Sequence, residues 1–267
     1  MAVKIKVGAD PEFFLFRDTL PISAHGLVPG SKDHPYPLSK GAVQLDGTAV
    51  EFNIIPTSER EEFADNIKTT LNEIRGIVPR ELSFGFKPSV VFKKGYFDKE
   101  IPDECKELGC TPDYSAQAGG QIKGPPPNKT TMRTGAGHIH IGWTEGAQFE
   151  TKRSDTHFNR CIKTTLMFDA YLRLYAPWYD RERRRSRMYG AGGAFRPKPY
   201  GVECRSPSNA WLRHPELWPW LHDVATFVGE NYNDQSLVQL ILGKGATNSF
   251  KRRVLDANIL FPLYEAA

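Results

Sequence analysis

Four short segments of this chain alternate, residue by residue, between apolar side chains and side chains that carry chemistry. They are "GADPEFFLF" (8–16), "VEFN" (50–53), "GAGHIHIG" (135–142) and "VECRS" (202–206). A period of two is the mark of a strand, because residues i and i+2 point to the same face. Asp10 and Glu12 therefore share a face. Glu51 and Asn53 stand opposite Val50 and Phe52. His138 and His140 stand opposite Ile139 and Ile141, and Glu203 and Arg205 stand opposite Val202 and Cys204. Taken singly, each polar face fits an ordinary solvent-facing strand. Side by side in one sheet, they make a floor of carboxylates and imidazoles with an arginine at one rim. Such a floor repels itself without cations. Oxygen-rich sites of this kind suit Mg²⁺ or Mn²⁺, and those ions suit nucleotide phosphates.

The rest of the chain supplies the frame. "AVQLDGTAVEFNI" (42–54) reads as a hairpin turning at Asp46-Gly47. A helix follows over 58–78, opened by a Ser58–Glu61 capping box, with Phe63, Ile67, Leu71, Ile74 and Val78 as its apolar stripe. A second helix is predicted over 155–175. Phe158, Cys161, Ile162, Phe168 and Leu172 form its broad apolar face, Asp169 falls within that face, and Pro177 marks its end. Further helices are expected from Pro215, from Asp234 and near 249–258. Segments 18–40 and 96–134, and the basic Gly-rich run 180–201, read as loops. Strands and helices do not alternate as βαβ units, so the prediction is an α+β chain with a curved, largely antiparallel sheet flanked by helices. One domain is expected over 1–267, with a helical part from about 215.

Composition narrows the function classes. The chain has 267 residues, 40% hydrophobic and 25% charged, and a net charge of +4. That mild excess fits a phosphate-bearing substrate without requiring nucleic acid. The longest apolar runs fall short of the roughly 20 residues of a membrane span. The first residues lack a signal-peptide core, so a cytoplasmic protein is expected. The four cysteines show no zinc spacing and read as reduced thiols. No phosphate-binding P-loop or dinucleotide fingerprint is present.

The same segments carry a resemblance. "GADPEFFLF", "GAGHIHIG" and "VECR" resemble the active-site strands of glutamine synthetases. Together with "VPGSK", "GAVQLDGTAVEFNI", "RTGAGHIHIG" and "YGAGGAFRPKPYGVECRSPSNAWL", they resemble the phage-borne carboxylate–amine ligases of type 2 over roughly residues 5–215. The resemblance implies a glutamine synthetase-like catalytic domain, in a host cytoplasm if phage-encoded. It implies ATP-dependent joining of a carboxylate to an amine through an acyl phosphate, with no membrane partner and an oligomer possible. It implies Asp10, Glu12, Glu51, His138 and Glu203 as metal ligands. His140, Asn53, Arg187, Lys198 and Arg205 would grip the nucleotide phosphates. Arg205, Arg196, Glu51 and Glu203 would act on the transferring group. Independently of the resemblance, Asp113 in the 96–134 loop is a candidate to bind and deprotonate the amine. Two positions depart from the pattern. The extra metal-binding Glu of glutamine synthetase has only Asp46 nearby, in the turn, and Thr111 replaces the acid of "GCDPD". A kinase on the same fold and a lapsed nucleotide- or metal-binding protein are the alternatives.

Overall fold

The structure, a computed structural model, describes residues 4–107, 113–121, 130–143 and 155–233. Cys110, Thr111 and the helices expected beyond residue 234 lie outside the described residues. Strand β1 (Lys6–Arg17) is the spine. The other strands are β2 (Leu20–Ile22), β3 (Tyr36–Leu38), β4 (Gly41–Asp46), β5 (Ala49–Ile54), β6 (Ser83–Gly85), β7 (Ser89–Val91), β8 (Tyr114–Ser115), β9 (Gly120–Gln121), β10 (Met132–Thr134), β11 (Gly137–Gly142), β12 (Ala194–Lys198) and β13 (Gly201–Cys204). Eleven of them form one sheet in the order β3-β4-β5-β1-β11-β13-β12-β8-β9, with β2 and β6 also paired to β1. Strands β7 and β10 form a separate ribbon. Every strand pair among the described residues is antiparallel.

Alternation along these strands separates two faces. Val7, Ala9, Phe13, Leu15, Val50, Phe52, Ile139, Ile141, Val202 and Cys204 are buried in the main core. That core is closed by α1 (Arg60–Ile77), α4 (Asp155–Tyr179) and α6 (Leu217–Glu230). Short helices α2 (Lys94–Glu100), α3 (Asp103–Lys106) and α5 (Arg184–Met188) lie nearer the other face. On that other face, Phe14, Phe16 and Ala49 join Val90, Phe92, Phe97, Ile101 and Cys105 in a second, smaller core. The α+β expectation therefore holds, as a mixed architecture with a large antiparallel sheet flanked by helices.

Several local expectations shift. The Ser58–Glu61 box does not form. Helix α1 starts at Arg60 without a side-chain cap, while the Thr57 hydroxyl accepts from the Glu59 amide at 3.1 Å and bonds the Glu62 carboxylate. Burial of the Thr57 strand bridge to Val7 fixes the chain there, one residue earlier than the box needs. The stripe buries Phe63, Ile67, Ile74 and Val78, with Leu71 half-buried. Helix α4 runs past Pro177 to Tyr179. A proline in the last turn forfeits only one backbone bond. Segment 18–40 contains β2 and β3, and the Gly-rich basic run contains α5 and β12. The hairpin turns on Gly47 and Thr48, not Asp46 and Gly47. Asp46 pairs with Ala49 as the last residue of β4, and Gly47 takes the left-handed φ of +55°. No described helix is long and apolar enough to cross a membrane. Cys105, Cys161 and Cys204 are free and buried.

Close approach fixes the centre of the sheet. Gly201 pairs with Gly142, and a Cβ at Gly201 would overlap the Ile141 carbonyl oxygen. Gly201→Ala should cost about 1–3 kcal/mol by forcing the β11–β13 ladder apart. Chemical denaturation measures this loss; an unchanged midpoint would show that the two strands have room to separate.

Candidate active site

Strand register brings the four polar clusters onto one face. Asp10 lies opposite His138, and Gly8 opposite His140. Glu12 lies opposite Glu51, which lies opposite Gln44 on β4. His140 lies opposite Glu203, and Glu203 opposite Arg196 on β12. Asp10, Glu12, Asp46, Glu51, His138, Arg196, Lys198, Glu203 and Arg205 all line one cleft of about 200 Å³. Asn53 and His140 line a neighbouring, more apolar cavity, which shares Asp10 and Glu51 with the first and adds Tyr200. Arg187 lies exposed on α5 and lines neither; its neighbour Arg185 is the buried one.

The cleft has a cationic half and an acidic half. In the cationic half, Glu203 is 1% exposed. Its carboxylate takes the Arg205 guanidinium on one oxygen and Lys198 Nζ at 2.8 Å on the other, with Arg196 3.7 Å away. Asp113 accepts from an Arg196 nitrogen at 3.2 Å and forms an ion pair with Arg205, its oxygen 2.8 Å from Nε. Both guanidiniums meet the same Asp113 oxygen, Oδ1. Tyr189 covers this half, with the Arg205 guanidinium 5.2 Å from its ring centre and its hydroxyl 3.4 Å from His138 Nε2.

In the acidic half, Glu12 and Glu51 face each other across neighbouring strands, and neither forms an ion pair among the described residues. Glu12 accepts the Ala136 amide at 3.0 Å, and Glu51 accepts Gln44 Nε2 at 2.8 Å. Burial, reinforced by Asp46, pushes the Glu12 carboxyl up to about 8, against the pull of the Ala136 amide, Arg185 and Arg205. Burial raises Glu51 well above its ordinary range too, with Asp10, Asp46 and Glu12 adding to the effect. Asp10 is different. Burial opposes its ionisation, but His140 and His138 outweigh that and hold it far below the usual carboxylate range. His140 Nε2 lies 2.8 Å from Asp10 and His138 Nδ1 lies 3.5 Å from it. Burial resists charge on His140, yet Asp10 and Glu203 raise its pKa; Tyr200 hydroxyl bonds its other ring nitrogen. Burial and Arg205 push His138 down to about 4, despite Asp10 and Glu203. The raised His140 imidazole therefore offsets the charge of Asp10, while Glu12 and Glu51 have no side-chain cation in contact among the described residues.

The donor set fits a hard divalent ion. One atom each of Asp10, His138 and Glu203 lie within 4.8 Å of one another. Beside them stand two half-buried carboxylates whose charged forms are disfavoured. Carboxylate oxygens with one imidazole suit Mg²⁺ or Mn²⁺. Glu203 is the member already saturated by side-chain cations.

Sequence reasoning missed Arg185, Tyr189, Tyr200 and the inward aim of Asp46. Five arginines crowd 181–187, and nothing local distinguishes the one that turns inward. Alternation from Glu51 back through the turn would have placed Asp46 on the acid face, had the turn been set one residue later.

No protein-family model matches the sequence, and no curated protein matches it. Among solved structures, the chain is similar to a bifunctional glutathione synthetase from Pasteurella multocida, at 12% identity and a TM-score of 0.41, over 89% of this chain and 40% of that one. It is also similar to a novel glutamine synthase homolog, at 11% identity and a TM-score of 0.40, over 98% of this chain and 67% of that one. The chain thus spans well under half the length of the first.

Proposed function

We propose that this cleft joins a carboxylate to an amine at the expense of ATP. The observation that carries the reading is the meeting of a paired-carboxylate half and a triple-cation half on one sheet face, at Asp10, His138 and Glu203. Phosphoryl transfer asks for positioning and charge neutralisation rather than covalent help. In this reading, a carboxylate oxygen of the substrate attacks the γ-phosphorus of ATP, and ADP leaves. The amine nitrogen then attacks the acyl carbon, loses a proton, and phosphate departs.

Arg205, Arg196 and Lys198 stand where they would neutralise the transferring phosphoryl group. Glu203 and Asp113 hold those cations in place. His140 and Asn53, in the adjoining cavity, would meet the nucleotide, with Tyr200 fixing the His140 ring; Arg187 would have to reach it from the exposed side of α5. Glu12, Glu51, Asp10 and His138, with Glu203, would hold Mg²⁺ or Mn²⁺. When bound, that ion screens the phosphate charges. The residue pattern resembling the phage-borne carboxylate–amine ligases supports the same reading.

Phosphorus NMR of ATP and Mg²⁺ with the protein, supplied with pooled amino acids and polyamines, tests it. The expected result is ADP plus inorganic phosphate, dependent on the pool and abolished by Glu12→Gln. ADP with a new phosphorylated compound and no free phosphate would replace the ligase by a kinase. Failure to bind the nucleotide at all would remove the assignment of this cleft to ATP.

A further inference from the structure

Asp169 is an acid on the apolar face of α4, flanked by Phe168 and near Leu172 and Cys161. It is 4% exposed. A carboxylate there weakens the packing face of the helix, and a leucine would serve the core better. Its two oxygens have definite uses. Oδ2 accepts the Gly193 amide, and Oδ1 accepts the Ser206 hydroxyl.

Those two partners bracket Arg205. The β13 ladder ends at Cys204, so Arg205 is the first residue beyond regular pairing. Its amide donates to the Ala194 carbonyl at 2.9 Å. Gly193 immediately precedes Ala194, and Ser206 immediately follows Arg205. Asp169 therefore grips both chain segments that this backbone bond joins. Arg185 closes the arrangement, donating to the Arg205 carbonyl at 3.1 Å and the Ser206 carbonyl at 2.7 Å. With Ser206 pulled toward α4, strand alternation sends the Arg205 side chain the opposite way, into the cleft against Glu203 and Asp113.

We infer that Asp169, acting through Ser206 and Gly193, is a positioning residue for Arg205. The functional consequence rests on the reading of Arg205 as the group that neutralises the transferring phosphoryl. The geometric consequence does not.

Two readouts separate these. The first is the Nε–Hε signal of Arg205 in nitrogen–proton correlation spectra, assigned by its loss in Arg205→Lys. In the wild type the burial of the Arg205 side chain, with Nε 2.8 Å from Asp113, shields this proton from water. In Ser206→Ala and Asp169→Ala it should exchange with water and broaden. Asp169→Asn should restore it, because the amide oxygen can face Gly193 while its NH₂ donates to the Ser206 oxygen. The second is calorimetric binding of a non-hydrolysable ATP analogue with Mg²⁺. Ser206→Ala should weaken it about fivefold, the worth of one such hydrogen bond, and should add nothing in an Arg205→Lys background. An unchanged Arg205 signal in folded Ser206→Ala protein would overturn the inference, as would equal weakening in both backgrounds. If Asp169→Ala does not fold, Ser206→Ala still decides, since it removes a single hydroxyl. If the wild type binds no analogue, the ATP reading falls, while the Arg205 signal still tests the positioning.

Discussion

In chelator at pH 8, Glu12→Gln protein should melt above the wild type, and the gap should close as the pH falls toward 4.5. The Glu12 carboxyl sits at about 8 in the folded chain against an ordinary value of 4.5. Between those values the unfolded chain releases its proton while the folded one retains it. The unfolded state then binds fewer protons, so stability falls as pH rises. The wild type is unpenalised below 4.5 and bears the full cost by about pH 8. Glu12 lines an open cleft, which moderates the cost to on the order of 3 kcal/mol, or about 6–12 °C in melting temperature. Glutamine removes the penalty, since its neutral amide still accepts from Ala136. The facing groups are Asp46, Glu51, Asp10, Arg185 and Arg205, and all remain in the variant. Adding Mg²⁺ or Mn²⁺ at pH 8 should raise the wild-type melting temperature and leave Glu12→Gln unmoved. Identical pH slopes in the two proteins would show that Glu12 is as well hydrated as a surface acid.

Glu203→Ala should destabilise the protein by about 3 kcal/mol, because removing one member of a buried ion cluster strands the others. Glu203 faces Arg205, Lys198, Arg196 and His138 at once. Asp113 retains Arg205 and Arg196, which keeps the loss from doubling. Lys198 and Arg196 reach solvent in part, with 29% and 22% of their side chains exposed, whereas Arg205 has 8%. The stranded charge is therefore chiefly Arg205. Calorimetry should find the melting temperature lowered by about 6–12 °C. A fall of a degree or two would mean that water already solvates these cations.

The sequence made the polar face legible because strands repeat every two residues. Asp10, Glu12, Glu51, His138, His140, Glu203 and Arg205 could each be assigned a side from their immediate neighbours. Register then placed them together, which alternation alone cannot do, since it says nothing of which strands are adjacent. The missed residues depend on distant packing. Arg185 turns inward because the carbonyls of Arg205 and Ser206, twenty residues on, accept its protons. Tyr189 reaches His138 from the residue after a five-residue helix that the Gly-rich run concealed. Asp46 turned on a one-residue choice of turn. Asp169 looked like a flaw in a helix face because its partners, Gly193 and Ser206, lie on other segments.

The spine strand β1 places constraints on how this chain can change over time. Over its twelve residues, Val7, Ala9, Phe13 and Leu15 belong to the main core, while Asp10, Glu12 and Phe14 line the cleft. Chemistry and solidity are written there in a single alternating frame. Inserting one residue between Ala9 and Asp10 would drive both acids into the hydrocarbon interior and bring Phe13 and Leu15 to the cleft. Point substitutions leave that frame intact. New specificities on this scaffold should therefore arise by exchange of residues within β1 and by length change only in the loops around it, so the spacing from Gly8 to Phe16 should be the most length-invariant stretch of any lineage that keeps the cleft.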